Sequence, residues 1–512
     1  MVGRKSLVPL SLALLLAAHA RVAMALDIEP SIRVGETYTS NVNLDDAEED
    51  EWVTSVTPGV EIAYRGNALE VVLDYRLEAL FYANESDRNE VFNQLEANTL
   101  LDLVGDALQF RARGTMSQVN VEPQESVASS NINVTGNRTD ATSWNAGPEW
   151  RVPVFAGSVF DGFARYGQVL YDEEPRSDDE TEQTTLEIQD VDRIEGRAAL
   201  RSADDVSSLL TYALVYEFDQ LDYGDAAPEA EQQAAYLRLN MRLSDYFSVF
   251  GLGGLDSDFE DPTDSSLEEG RWEAGLTAGT DQLQFEAAIG HRFFGSTTRV
   301  SLTQSSDSAT YRLSYSEAPN TSDRVQLQRI EVDISDPDAP PENPPPDTGI
   351  ETPGQQTRFI QKRADASARW SFSRSSLGLS LFWDERQNQL QVTQETTPGE
   401  EVEFDSRDDE SSYGVVGEFD WQLGTRSNLR LSTSWRQREY VTTLTSPEPP
   451  AEQAIDRDQI LTIAAGYDYL LGERTTLTGR AGFQSRAGAR SDADSQGDYD
   501  EYWVGIDLER RF

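Results

Sequence analysis

The chain has 512 residues, 38% of them hydrophobic, and its mean hydropathy of −0.54 leaves little apolar material for the several cores of a soluble protein this long. A formal charge of −49 argues against nucleic acid or an anionic surface as a partner, since both require clustered lysine and arginine, and suits an attraction for cations. With no cysteine and only two histidines, the chain offers no disulfides, no thiolate metal sites and little acid–base chemistry.

The first residues have the organisation of a secretory signal peptide. Arg4 and Lys5 form a positive start, residues 7–18 are mostly apolar, and Ala23-Met24-Ala25 provides a small-residue cleavage site. An uncleaved anchor is the alternative, but this apolar run is shorter than the roughly twenty residues of a spanning helix. We therefore predict a signal peptide at 1–25 and a single mature domain at 26–512.

From residue 69 onward, apolar and polar side chains alternate with a period of two, the pattern of strands with two different faces. In residues 69–82 the apolar side chains fall at Leu69, Val71, Leu73 and onward, with Glu70 and Asp74 among those between them. Similar segments start at Leu108, Leu237, Leu283, Leu377, Leu429 and Leu477. Many run ten residues or more, which suits tilted strands crossing a bilayer better than the shorter strands of a soluble sandwich.

Short and long connections alternate along the chain, as they do in outer-membrane barrels with short periplasmic turns and long external loops. Short connections lie at 65–67, 104–106, 155–158, 244–246, 279–281, 373–376 and 471–474. Long polar stretches lie at 45–51, 120–138, 173–185, 221–231, 256–269, 320–357, 384–410, 442–458 and 487–498. The count predicts an all-β, transmembrane, antiparallel outer-membrane β-barrel of about 22 strands, within a range of about 18 to 24. The region 299–316, with a turn at 306–308, is the hardest to divide.

The last residues and the aromatic positions support the same fold. One face of the final segment is apolar and ends in an aromatic residue, which is typical of the C-terminal assembly signal of such barrels; its residues are Tyr502, Val504, Ile506, Leu508 and Phe512. An ordinary amphipathic edge strand is the alternative. Strand direction places Trp383 and Trp435 near the outer ends, and Trp370, Phe372, Tyr467 and Tyr469 near the periplasmic ends, as two aromatic belts.

The opposite face of the strands predicts a water-filled lumen of mixed charge. Its candidate residues are Arg111, Arg113, Glu149, Arg151, Arg238, Arg242, Arg363, Asp365 and Arg369, with Asp507 and Glu509 from the final segment. Few inward aromatics are apparent, so a sugar-binding slide is not indicated.

The chain offers little sign of catalysis or of a cofactor. His291, the one histidine beyond the signal, falls on the lipid-facing side near the outer rim, so we predict no enzyme activity and no catalytic residue. Five acidic residues at Asp256, Asp258, Glu260, Asp261 and Asp264 could bind calcium, but their spacing lacks the glycine and glutamate of a calcium loop. A solvated charge run is the preferred interpretation, with neither a metal nor a cofactor site predicted.

Two segments resemble a known family. Residues 74–103, DYRLEALFYANESDRNEVFNQLEANTLLDL, and 131–151, NINVTGNRTDATSWNAGPEWR, are similar to the outer-membrane β-barrel proteins associated with PEP-CTERM/exosortase systems, which occur in exopolysaccharide loci. The resemblance extends along the mature chain, is strongest in its N-terminal third and carries no catalytic motif. It implies a role in passing or anchoring extracellular polysaccharide.

We therefore expect a pore for exopolysaccharide export, located in the outer membrane of a Gram-negative bacterium and reached through the periplasm. The expected partners are outer-membrane lipid and lipopolysaccharide, the barrel-assembly machinery, periplasmic polysaccharide-export proteins and the polysaccharide itself. A general diffusion porin with a cation bias and a structural or adhesive barrel are the alternatives. The Pro-rich segment at 336–353 is either a solvated external loop or a loop that narrows the lumen.

Overall fold

A computed structural model describes residues 26–121, 126–128, 130–155, 157–172, 189–203, 209–224, 229–257, 267–321, 357–392, 404–407, 409–443, 453–489 and 498–512. The predicted signal peptide and the Pro-rich segment lie outside these residues. No helix in the described part of the chain is long and apolar enough to cross a membrane.

The described residues form long strands, with one short 3₁₀ turn at Ser86–Arg88. The strands are β1 Leu26–Thr39, β2 Glu51–Arg65, β3 Leu69–Tyr82, β4 Glu90–Asp102, β5 Leu108–Asn120, β6 Arg138–Phe155, β7 Ser158–Tyr171, β8 Val191–Ser202, β9 Leu210–Asp222, β10 Ala230–Ser244, β11 Phe247–Ser257, β12 Leu267–Gly279, β13 Leu283–Arg292, β14 Gly295–Ser305, β15 Ala309–Thr321, β16 Thr357–Ser371, β17 Ser375–Val392, β18 Phe404–Arg407, β19 Glu410–Gln422, β20 Ser427–Thr443, β21 Gln453–Gly472, β22 Thr475–Ala489 and β23 Tyr499–Arg511.

The strands close into a barrel, because each pairs antiparallel with its neighbour in sequence and the last pairs with the first. The closing pair runs from Ser31 opposite Arg511 to Thr39 opposite Trp503. Strands β18 and β19 both pair with β17, one beyond the other, and so occupy a single position in the wall. The predicted fold class is confirmed: the chain is a closed, antiparallel β-barrel of 22 wall positions.

A barrel of this size has a lumen that wall side chains alone do not fill. At a strand spacing of about 4.8 Å and a tilt of about 35–45°, its diameter is about 40–48 Å between backbones. We call the end with the short connections the turn end and the opposite end the loop end. Strand β1 begins at the turn end, and β23 returns to it.

Alternation of side chains gives the wall one apolar and one polar face. Apolar residues point outward and stay exposed, such as Leu377, Leu379 and Leu381 on β17, at 40–50% of full exposure. Farther along the same strand, Phe382 and Asp384 point inward and are buried. This apolar face is as expected for a barrel surrounded by lipid.

Aromatic pairs mark two levels of the outward face. Near the loop end, ring centroids lie 5.3 Å apart in Tyr38–Trp52, 5.5 Å in Trp144–Tyr166 and 5.9 Å in Tyr413–Trp435. Near the turn end, the corresponding pairs are Trp150–Phe160, Tyr311–Trp370 and Phe419–Trp421. Tyr413 and Trp421 are eight residues apart on β19, or about 20 Å along the barrel axis at the expected tilt. That height is close to the apolar band of an outer-membrane barrel.

Several predicted loop boundaries are wrong. Strand β17 runs to Val392 and β21 starts at Gln453, both inside stretches predicted to be loops. Their ends lack apolar alternation, yet backbone pairing continues there because hydrogen bonding in a ladder does not depend on the side chains. The connection between β13 and β14 contains only Phe293 and Phe294, so the alternation of short and long connections does not hold there. The predicted turn at 306–308 lies between β14 and β15.

Candidate functional site: the charged lumen

The nine candidate lumen residues all lie on the inward face of the wall. Arg111 stands opposite Gly147 and Arg113 opposite Asn145, in the same inward row as the buried Ser143. Arg238 lies between the outward Leu237 and Leu239, each about 42% exposed. The other six follow from the same register: Glu149, Arg151, Arg242, Arg363, Asp365 and Arg369.

Arginines and carboxylates alternate across the wall from β5 to β9. Glu149 and Glu195 each contact two guanidinium groups, so the contacts form an unbroken series from strand to strand. The distances are 3.3 Å for Arg111–Glu149, 2.6 Å for Glu149–Arg165, 3.4 Å for Arg165–Glu195, 2.9 Å for Glu195–Arg193 and 2.8 Å for Arg193–Asp219. Such a series holds long side chains against the wall and keeps the lumen polar without a large excess of either charge.

A second series joins β10, β12, β13 and β14. Arg299 contacts both Glu273, at 2.7 Å, and Glu286, at 2.6 Å, and Glu286 in turn lies 3.6 Å from Arg238. Closer to the loop end, Asp256 is 1% exposed and accepts from Arg271 at 2.9 Å and Arg292 at 2.7 Å.

The acidic cluster considered for calcium therefore has its first member occupied by two arginines. Asp258, Glu260, Asp261 and Asp264 lie outside the described residues, and the described part of the chain contains no group of three potential metal ligands.

The most buried ion pairs lie on β20, β21 and β22. Asp458 accepts from Arg438 and, at 3.0 Å, from Arg486, and all three side chains are 1–3% exposed. The carboxylate between them forms an ion pair with each guanidinium group, whereas either arginine without it would be strongly unfavourable in a buried position.

Aromatic rings face the lumen, although few were expected there. Arginine side chains cover these rings. A guanidinium carbon lies 4.3 Å from the ring centre of Phe163, 3.9 Å from that of Phe250 and 4.6 Å from that of Tyr236. The arginines are Arg165, Arg238 and Arg271, in the same order. Reading the inward positions of each strand would have found these rings. Because cations occupy their faces, these rings are not open stacking platforms for a sugar.

In the connection between β5 and β6, residues 126–128 and 130–137 reach strands β22 and β23 and the residues that follow β1. Asn133 donates to the Glu501 carboxylate on β23 at 2.7 Å, and the Val134 amide donates to the Val42 carbonyl at 2.8 Å. The Val127 carbonyl accepts from Gln484 and Tyr499 at 3.2 Å. Apolar contacts support this arrangement, in a buried cluster of Val42, Val53, Leu80, Tyr82 and Phe92 with Ile132 and Val134 against it. This segment therefore narrows the loop end.

A cavity of about 620 Å³ opens at the turn end. The connections 423–426 and 473–474 border it, together with wall residues of β1, β20, β21, β22 and β23. Its charged lining residues are Arg33, Arg426, Arg430, Asp468, Glu473, Arg474, Glu509 and Arg511. Arginines outnumber carboxylates there, although the chain as a whole is strongly acidic.

The remaining predicted positions lie on the outward face. His291 is exposed and stands opposite Trp272, so it does not face the lumen. The predicted C-terminal signal residues are also exposed there: Tyr502 59%, Val504 52%, Ile506 54%, Leu508 46% and Phe512 55%. Their reading by an assembly machinery stays a prediction.

No protein-family model matches the sequence, and no curated protein is significantly similar to it. Among solved structures, the FrpB iron transporter from Neisseria meningitidis (F3-3 variant) has a TM-score of 0.44 and 9% identity over 95% of this chain and 82% of that one. The ferric enterobactin receptor PfeA from Pseudomonas aeruginosa has a TM-score of 0.45 and 7% identity over 95% and 80%. OprD from Pseudomonas aeruginosa has a TM-score of 0.35 and 10% identity over 95% and 96%. The iron cargo belongs to FrpB, and the barrel assignment for this chain rests on its own strand register.

Proposed function

We propose that the protein is an outer-membrane pore that passes exopolysaccharide to the cell surface. The observation that carries the proposal is the contrast between the two faces of one closed wall. Outward side chains are apolar between two aromatic levels, and inward side chains are arginines and carboxylates in paired series. A barrel of this kind is stable in a lipid bilayer and encloses water.

The orientation follows from the connections. Short turns belong to the periplasmic side of outer-membrane barrels and long loops to the external side. The turn end then faces the periplasm, where a polymer made inside the cell would enter. The loop end, narrowed by residues 121–137, faces the outside.

Hydrated, hydroxyl-rich polymers suit a wall of paired charges, because guanidinium and carboxylate groups exchange hydrogen bonds with water and sugar hydroxyls readily. The proposal that the solute is an exopolysaccharide is based on the resemblance of residues 74–103 and 131–151 to barrels of exopolysaccharide loci.

Deletion of the gene tests this role directly. We expect surface polysaccharide to disappear while polymer continues to be made and accumulates inside the cell envelope. Restoration by the wild-type gene is the control, and unchanged surface polysaccharide in the deletion strain would overturn the proposal.

A general diffusion porin is the second candidate. Arginines cover the inward rings of Phe163, Phe250 and Tyr236, and a pore without open stacking platforms favours small solutes without selection among sugars. Single-channel conductance in a planar bilayer distinguishes the two: a porin conducts unaffected by oligosaccharides, whereas a polysaccharide pore is blocked by oligosaccharides of the right chemistry. A barrel that carries no current would favour a structural or adhesive role instead.

A further inference from the structure

The ten short connections at the turn end share one backbone position. This position is the last residue of the connection, directly before the next strand starts. In each connection its carbonyl accepts a hydrogen bond from a backbone amide near the end of a neighbouring strand. These distances are all 2.8–3.1 Å. The accepting residues are Ala68, Ala107, Gly157, Leu209, Tyr246, Gln282, Ser308, Arg374, Arg426 and Arg474. The shared bond makes these positions directly comparable around the rim.

Charge at these positions is confined to one side of the barrel. Arg374, Arg426 and Arg474 are the last three in chain order and precede β17, β20 and β22, so they are neighbours on the rim. The other seven are uncharged. Connections farther from these arginines carry exposed aspartates instead, at Asp106, Asp245 and Asp281. The rim therefore has a basic side and an acidic side.

The three rim arginines are free to bind a ligand. All three are exposed, and none has an ion-pair partner among the described residues. They precede every second wall position, so neighbours are about 12 Å apart along the rim at the expected strand spacing and tilt. A small anion cannot bridge that distance, whereas a chain with repeated negative charges can contact several arginines at once.

Positive side chains continue from this rim into the lumen. The 620 Å³ cavity lies directly inside Arg426 and Arg474, and its wall adds Arg430, paired with Asp468, and Arg511, paired with Glu509. Further along the same two strands the inward arginines are paired with carboxylates, Arg438 and Arg486 with Asp458 and Arg480 with Asp507. The cavity opens from the rim into the barrel, so a polymer bound at the rim arginines lies at the entrance of the lumen.

We propose that Arg374, Arg426 and Arg474 form the entrance site for a carboxylate-bearing polysaccharide. Guanidinium groups bind carboxylates through two parallel hydrogen bonds, a geometry that hydroxyls of neutral sugars do not reproduce. This rests on the proposed function and narrows it, from exopolysaccharide in general to an acidic one.

The proposed site is tested by measuring how oligosaccharides block the current through the pore. The refolded protein is placed in a planar bilayer, and oligogalacturonate or a neutral maltooligosaccharide of equal length is added to one side. Because the chain has no cysteine, Asn67→Cys in a short turn, modified with a membrane-impermeant thiol reagent, identifies the turn side. We expect the acidic oligomer to block from the turn side at a lower concentration than the neutral one.

The combined variant Arg374→Gln, Arg426→Gln and Arg474→Gln should raise the half-blocking concentration of oligogalacturonate about tenfold, as three exposed ion pairs of about twofold each would give. The matched control removes three aspartates from connections farther along the rim, Asp106→Asn, Asp245→Asn and Asp281→Asn. At 0.1 M salt, screening over about 10 Å separates the two sides of a rim about 40–48 Å across, so this control should leave the block unchanged.

Equal block by both oligomers, or the same half-blocking concentration in the arginine variant, overturns the site and leaves the pore proposal standing. If the refolded barrel carries no current, the pore proposal fails instead. The site is then tested by calorimetric titration of oligogalacturonate onto the detergent-refolded protein, where undiminished binding by the arginine variant overturns it.

Discussion

Arginines on two sides of the barrel are used differently. On β5 to β9 they alternate with carboxylates in one series, with Arg165 held between Glu149 and Glu195. On the rim below β17, β20 and β22, Arg374 and Arg426 extend into water with no carboxylate partner among the described residues. The guanidinium donors of a paired arginine are occupied by carboxylates of the wall, whereas those of an exposed, unpaired arginine are available to a solute. Pairing, rather than residue type, therefore separates structural from binding arginines here.

The largest expected effect is a loss of stability when the buried carboxylate of Asp458 is removed. Asp458→Asn leaves the guanidinium groups of Arg438 and Arg486 buried without a compensating charge, and we expect the free energy of unfolding to fall by about 3 kcal/mol. Urea titration followed by tryptophan fluorescence in detergent measures it. Asp468→Asn is the matched control on the same strand, since its partner Arg430 is 57% exposed and the expected loss is below about 1 kcal/mol. Equal losses of unfolding free energy in the two variants would contradict the distinction between buried and exposed ion pairs.

A smaller effect is expected where residues 121–137 meet the closing pair. Glu501 is 3% exposed and accepts from Thr39 at 2.6 Å as well as from Asn133. Glu501→Ala leaves both donors without their acceptor, at a cost of about 2 kcal/mol, and should raise the conductance by loosening this segment. Glu501→Gln retains the accepting oxygen and should remain close to wild type in both measurements. A conductance unchanged by Glu501→Ala would show that the segment does not narrow the pore.

Ion selectivity should respond oppositely to changes on the two sides of the rim. Removing the positive charges of Arg374, Arg426 and Arg474 should shift the permeability ratio toward cations, by about twofold. Removing Asp106, Asp245 and Asp281 should shift it toward anions by a similar factor. The reversal potential in a potassium chloride gradient measures both. Shifts of the same sign would contradict a rim with a basic and an acidic side.

The smallest effect is expected at His291. His291→Ala changes an exposed, outward side chain that touches neither the lumen nor the basic rim. Conductance, oligomer block and surface polysaccharide should all match the wild type. Loss of any of these would assign this histidine a role that its place on the wall does not explain.

The sequence by itself determined the barrel and the direction each strand side chain faces. Alternation with a period of two is a local property, and it placed Arg111 and Arg238 inward and His291 outward. Alternating connection lengths predicted the number of wall positions, because each strand must reverse direction at its ends. The predicted loop boundaries were wrong where strands extend beyond the apolar alternation, since the backbone pairing of β17 and β21 continues without it.

Only the tertiary structure decided which charges meet. Arg165 pairs with Glu149 and Glu195, its neighbours across the strands, and Glu501 receives Asn133 from a segment more than 360 residues earlier in the chain. Net charge suggested an attraction for cations, because it sums every acidic residue wherever it lies. Closing the strands brings Arg374, Arg426 and Arg474 together on one side of the rim, and electrostatic interactions in salt depend on such local groupings more than on the total.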